Sequence, residues 1–209
     1  KETKKISEAL GIYIPEINLG GGFGVYYTEK DTAIDIEQFM RSMIEHLEKS
    51  IEAEKLEIKK VTIEPGRSIV ANAGSTLYTV GGTKTTYGGV KYIFIDGGMT
   101  DNIRPALYQA EYESIVANKV DAPAEEIVTV AGKCCESGDL IIKDGKLAKA
   151  ETGDLVLVAT TGAYGHSMSN NYNKAPKPAV VFVKDGKSTL SIKRESFEDL
   201  IRNDVLIDL

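Results

Sequence analysis

The amino-acid sequence predicts an α/β segment followed by an all-β domain, and three observations carry that prediction. Helix and strand signals alternate up to residue 70, helical periodicity nearly vanishes after Ala71, and short strand-like runs then recur between glycine-rich turns. The chain is therefore divided into residues 1–70 and residues 71–209.

The elements follow in order. Residues 7–11 read as the end of a helix stopping at Gly11, and 13–18 as a short strand. Asp35 then opens a long helix, with Gln38 three residues on, in the manner of a capping box. Ile36, Phe39, Met40, Met43, Ile44, Leu47 and Ile51 share one helical face, a stripe expected to pack against a sheet, while His46 sits among polar neighbours at the surface. A further strand spans 61–64. Strand, helix and strand of these lengths form a βαβ unit and therefore a parallel pair. Beyond Ala71, strands are predicted at 76–80, 92–96, 112–116, 127–130, 155–160 and 180–184, with 188–193 as a return strand. Asp144-Gly145 and Asp185-Gly186 carry the residue types of tight hairpin turns. Residues 198–205 are expected to close the chain as a short helix.

Composition narrows the function classes. A net charge of -6 and a sequence pI near 5.1 disfavour a nucleic-acid surface, which needs clustered Lys and Arg. No apolar run approaches the roughly 20 residues that span a bilayer. The adjacent Cys134 and Cys135 are no disulfide framework, and free thiols in a reducing cytoplasm are the expectation. With His46 and His166 as the only histidines and no C-x-x-C spacing, a four-ligand zinc site is not expected.

Five segments hold the residue types of a ligand site. Asn18-Leu19-Gly20-Gly21-Gly22-Phe23-Gly24 follows a strand, and glycine backbone can approach an anion closely; read alone, it fits a tight strand exit equally well. Glu64-Pro65-Gly66-Arg67 ends the next strand, where it is either a surface ion pair or a ligand-facing turn at the C-terminal edge of a parallel sheet. The segment from Asp96 to Tyr108, Asp96-Gly97-Gly98-Met99-Thr100-Asp101-Asn102-Ile103-Arg104-Pro105-Ala106-Leu107-Tyr108, is too long and mixed for a hairpin turn. Its Arg104 presents a planar fork suited to carboxylate, or a loop arginine at a rim. Lys133-Cys134-Cys135-Glu136-Ser137-Gly138-Asp139 sets a thiol beside carboxylates, which raise a thiol pKa and favour a proton donor over a thiolate; a small buried hydrophobe is the other reading. Residues 162–173, with Tyr164, His166, Asn170, Asn171 and Tyr172, form a polar loop able to bring a hydroxyl to a phosphate or carboxylate. A Cys135–His166 hydrolase lacks an orienting third residue and an oxyanion hole.

Taken together, Glu64-Pro65-Gly66-Arg67, the Gly-Met-x-Asp-x-x-Arg-Pro-x-x-Tyr pattern ending at Tyr108, Cys135-Glu136-Ser137-Gly138-Asp139 and the Gly162-to-Asn173 loop resemble the C-terminal motifs of diaminopimelate decarboxylases. The resemblance implies the C-terminal strands of a β/α (TIM-like) barrel followed by an antiparallel, barrel-like β domain, so that the chain is a fragment of a larger one. It implies pyridoxal 5'-phosphate as cofactor. Gly20, Gly21 and Gly22 would hold its phosphate, with the hydroxyl of Tyr172. Glu64, in the turn with Pro65, Gly66 and Arg67, would keep the pyridine nitrogen protonated. Arg67, Arg104, Tyr108 and Tyr172 would bind substrate, Glu136 would take an ammonium group of it, and Cys135 would supply the catalytic proton. It implies a small amino-acid substrate, a cytoplasmic homodimer with shared active sites, and no metal, membrane or nucleic-acid partner.

No segment matches the earlier barrel strands that carry the lysine holding the cofactor in that family. The polypeptide alone is therefore expected to show neither turnover nor a visible absorption band with added pyridoxal phosphate. Related decarboxylases acting on ornithine, arginine, lysine or carboxynorspermidine are the nearest competing reading, and a non-catalytic binding module of the same fold is another. The former have less use for both Arg104 and Glu136, and the ornithine enzymes carry Asp after the cysteine.

Overall fold

The computed structural model describes residues 1–32 and 34–207. It divides into two compact units, Lys1–Val70 and Ala71–Leu209.

The first unit is built on a βαβ core. Helix α1 (Glu2–Leu10) ends at Gly11, whose φ of 62° places it in the left-handed region that closes a helix. Strand β1 (Glu16–Asn18) and strand β2 (Lys60–Thr62) pair in parallel, with Ile17 opposite Val61. Between them runs α2 (Ile36–Glu54), whose N-cap Asp35 accepts from the backbone N–H of Gln38 at 3.0 Å. Of the expected capping box the Asp35 half is formed, and the parallel pairing is as the sequence predicts. The apolar stripe of α2 is not: Ile36, Phe39 and Ile44 stay exposed, and Met40, Met43, Leu47 and Ile51 are half-buried. Two three-residue strands are too small to cover a 19-residue helix. Phe39 does find one partner, the buried Phe23, edge-on at 5.8 Å between centroids. A single-turn helix, α3 (Arg67–Val70), follows the Glu64-Pro65-Gly66 turn.

The second unit is a six-stranded sheet in the order β5-β8-β3-β4-β6-β7. Its strands are β3 (Thr76–Thr85), β4 (Lys91–Ile95), β5 (Ser114–Val116), β6 (Glu126–Ala131), β7 (Leu140–Leu147) and β8 (Leu155–Val158), with the short helix α4 (Arg104–Tyr108) between β4 and β5. One face carries the core: Tyr78 and Val80, Ile93 and Ile95, Val128 and Val130, and Val156 and Val158 alternate inward along their strands. Strand β3 pairs with β8 through its first half and with β4 through its second, turning at a register shift between Val80 and Gly82. β5 also approaches β7, so the two ends of the sheet come together in a nearly barrel-like arrangement.

Three expectations need correction. The sheet is mixed, because β4 and β6 run parallel; the connection between them, through α4 and β5, is long enough for a crossover. Asp144-Gly145 is not a hairpin turn. It lies inside β7, where the register steps from Val128 opposite Gly145 to Val130 opposite Ile142, leaving a bulge with Asp144 at φ 52°. A turn and a bulge ask for the same left-handed conformation, so the residue pair could not tell them apart. The 96–108 segment, in turn, contains the one-and-a-half-turn α4, which a five-residue span with Pro near its start does not announce by periodicity.

After the sheet come α5 (Gly165–Met168), the two-stranded antiparallel pair β9 (Val180–Lys184) and β10 (Lys187–Ile192), and α6 (Phe197–Ile201). Asp185 and Gly186, at φ 52° and 72°, link Lys184 to Lys187 as a two-residue turn with both residues left-handed, as predicted. Ser196 and Asp199 cap α6 reciprocally in a capping box. The last predicted residues of that helix lie beyond its observed end at Ile201, and 208–209 lie outside the described residues.

Candidate active site

In the first unit the glycine run and the Glu64 turn meet. Gly20 and Gly22 adopt φ of 74° and 84°, and a methyl group at Gly21 would overlap the backbone oxygen of Glu64, so the loop needs glycine here. The N–H of Glu64 donates to the carbonyl of Gly20 at 2.7 Å. Asn18 bridges the two loops: its side-chain N–H donates to Glu64 Oε1 at 2.6 Å, and its Oδ1 accepts from the N–H of Gly20 at 2.8 Å. An exposed carboxylate held by an amide, beside a glycine loop with amides of Gly21 and Gly22 that donate to nothing among the described residues, suits a ligand bearing both a phosphate and a basic ring nitrogen. Arg67 starts α3 half-buried, and its charge helps hold the Asp31 carboxyl below its ordinary range, after the larger effect of the Thr28 and Tyr27 amides.

In the second unit three loops come together. The first runs from β4 through Gly97-Gly98-Met99 to α4. It carries Arg104, buried at 9% exposure, with its guanidinium 5.8 Å from the ring centre of Tyr112 and 5.5 Å from that of Tyr164. Arg104 Nη1 donates to the Tyr112 hydroxyl at 2.6 Å. Tyr108, at the end of α4, is exposed. The second loop, between β6 and β7, carries Cys134, half-buried, and Cys135 and Glu136, both exposed. Burial pushes the Cys134 thiol up, and the neighbouring Asp139 carboxylate adds to the shift. The third loop surrounds α5 and carries Tyr172, whose hydroxyl donates to Glu136 Oε1. That carboxylate bond, reinforced by its charge, raises the Tyr172 hydroxyl.

Cross-loop hydrogen bonds tie these loops together. Lys133 N–H donates to the Gly97 carbonyl at 3.0 Å, and Asn170 N–H to the Thr100 carbonyl at 2.9 Å. The structure thus brings Glu136 and Tyr172 into direct contact and joins the loops that bear Arg104, Cys135 and Tyr172. Asn18, Tyr112, Tyr164 and Asn170 are supporting residues to which sequence reasoning assigned no role. All but Tyr112 lie inside the motif segments, so the only available signal was their place in those motifs.

The chain thus joins a βαβ unit carrying a glycine-rich loop to a mixed, nearly closed β domain whose joined loops carry an arginine, a carboxylate and two thiols. The chain belongs to the pyridoxal-dependent decarboxylases, whose C-terminal sheet domain matches residues 23–162. Within that family, it is 49% identical over 90% of its length to diaminopimelate decarboxylase of Bacillus subtilis and 51% identical over 88% to that of Bacillus methanolicus. It spans 43% of the length of either relative. The crystal structure of diaminopimelate decarboxylase from M. jannaschii in complex with L-lysine superposes on 99% of the chain, and on 46% of that enzyme, with a TM-score of 0.88 and 35% identity. Among the described residues, no helix is long and apolar enough to cross a membrane.

Proposed function

We propose that the protein carrying this chain converts meso-2,6-diaminopimelate to L-lysine and carbon dioxide, the last step of lysine biosynthesis, with pyridoxal 5'-phosphate as cofactor. The observation that carries the proposal is the joined set of loops presenting a guanidinium at Arg104 and a carboxylate at Glu136. Diaminopimelate has a second amino-acid end, with one carboxylate and one ammonium, that asks for this pair of charges. The Bacillus relatives, named for that activity, and the lysine-bound archaeal structure support the same reading.

The cofactor supplies an electron sink for the pair left by departing carbon dioxide. The amides of Gly21 and Gly22, with the Tyr172 hydroxyl, would hold its phosphate, while the Gly20 N–H stays engaged by Asn18 and its left-handed backbone shapes the loop; Glu64, oriented by Asn18, would keep its ring nitrogen protonated. Arg67, Arg104 and Tyr108 would bind substrate carboxylate, and Glu136 would receive the distal ammonium once its bond to Tyr172 opens. Cys135, exposed on the adjacent position, would deliver the proton that ends the reaction. Pairing of the Cys135–Glu136 loop with a second copy's cofactor site, within a cytoplasmic homodimer, completes the proposal, as does a β/α barrel of which the βαβ unit forms the last strands.

Steady-state rates of the intact protein with diaminopimelate, ornithine, arginine and lysine test it. Diaminopimelate should be preferred, and Arg104→Ala should remove that preference. Equal turnover of ornithine by the unaltered protein would overturn the assignment, and absence of any turnover with bound cofactor would favour a binding module. Sedimentation with and without cofactor tests the dimer.

A further inference from the structure

We infer that Asp139 is the positioning residue of the candidate site: its buried carboxylate locks the loop bearing Cys135 and Glu136 to the loop bearing Arg104, and through Asn170 to Tyr172. The inference rests on the decarboxylase reading for its functional meaning and on geometry for its substance. Asp139 is 2% exposed. Its Oδ1 accepts from the Met99 N–H at 2.6 Å and its Oδ2 from the Cys134 N–H at 2.8 Å, one bond into each loop. Among the described residues no cation donates to this side chain; the two amides, with the Cys134 thiol beside them, satisfy a carboxylate that is costly to bury.

The surrounding backbone is shaped around this group. A methyl group added at Gly98, where φ is 150°, or at Gly132 would overlap the Asp139 carboxylate, so both loops use glycine where they close on it. The main chain repeats the connection: Gly132 N–H donates to the Asp139 carbonyl at 2.8 Å, and Asp139 N–H to the Glu136 carbonyl at 3.1 Å. From Met99 the link continues. The Asn170 side chain donates to the Met99 carbonyl at 3.4 Å, and Asn170 Oδ1 accepts from the Tyr172 N–H at 3.1 Å. One carboxylate therefore sits where three loops of the site are joined, three hydrogen bonds from Tyr172 and bonded to the residue next to Cys135. The Glu136–Tyr172 contact closes the ring from the other side.

The test uses the intact protein with Asp139→Asn, which keeps the volume and replaces one acceptor by an NH2 facing an N–H. The Met99 and Cys134 amides should exchange hydrogen about 10- to 100-fold faster, the equivalent of losing one bond to a charged acceptor. Amides of β3, β4 and β6 should keep their rates. The Cys134 thiol, followed by alkylation against pH in a Cys135→Ser background, should titrate lower once the adjacent charge is gone. With diaminopimelate, kcat should fall while cofactor affinity is retained. Gly132→Ala displaces the carboxylate without removing it and should reproduce the selective exchange; if Asp139→Asn fails to fold, that variant decides the matter. Unchanged Met99 and Cys134 exchange, or acceleration throughout the sheet in both variants, would overturn the inference. If the unaltered protein decarboxylates nothing, the functional proposal fails, while the exchange and titration results stand.

Discussion

Arg104 shows how much a single side chain can be asked to do. Its guanidinium lies 5.8 Å and 5.5 Å from the centres of two tyrosine rings and donates to the Tyr112 hydroxyl, so its direction is set before any substrate arrives. Arg104→Lys keeps the charge and loses the fork; KM for diaminopimelate should rise at least about tenfold, on the scale of one lost charge-assisted bond. Cys135→Ala should lower kcat by about 10²–10⁴-fold with KM little changed, the range of a removed general acid. Comparing the two kinetic splits separates binding from proton delivery. Asp154 is a residue of another kind. Buried, it accepts from the Lys119 ammonium at 2.6 Å and the Asn118 amide at 2.8 Å, which hold its carboxyl down at about 2. A depressed folded value stabilises the protein above the unfolded value near 3.9, and the contribution is lost as pH falls from about 4 toward 2. Acid unfolding followed by circular dichroism should therefore lose a step in that window in Asp154→Asn.

At the scale of elements, caps and turns carry testable energies. The Asp35 cap of α2 should be worth about 1 kcal/mol, read as a shift in denaturant midpoint for Asp35→Ala. At Gly186 the left-handed backbone should make Gly186→Val destabilise the β9–β10 hairpin by about 1–2 kcal/mol. These elements were legible because their signals are local: Asp35 with Gln38 three residues on, Gly11 at the end of a helix-like segment, and Asp185-Gly186 between two strands. Asp144-Gly145 carried the same local signal and became a bulge, because pairing with β6 extends through it. Strand β7 went unrecognised for that reason, since its midpoint read as a turn.

Across the molecule, burial is unequally divided. The second unit holds nearly all the buried apolar side chains, most of them on its strands, whereas Phe23 is the one found among the described residues of the first. Hydrogen exchange of the chain by itself should accordingly be slow in β3, β4, β6 and β8 and fast along α1 and α2. Comparable protection of α2 and the sheet would contradict this, since it would require the apolar stripe of α2 to be covered. The motif residues, too, read differently at this scale. Glu64 and the glycine run are assembled by the parallel pairing of β1 and β2, whereas Glu136, Tyr172 and Arg104 are assembled by three loops of the mixed sheet.

By itself the sequence determined the division of the chain, the parallel βαβ pairing, the capped helix, the Asp185-Gly186 hairpin and the motif segments. All of these depend on residues near one another in the chain or on the alternation of side chains along one strand. Only the tertiary structure decided that β4 and β6 run parallel, that β7 bulges at Asp144, and that Asp139 joins Met99 to Cys134. The parallel pairing and the Met99 bond depend on partners about 37 to 40 residues apart, the bulge on the register with β6, and no local preference encodes which distant amide a buried carboxylate will meet.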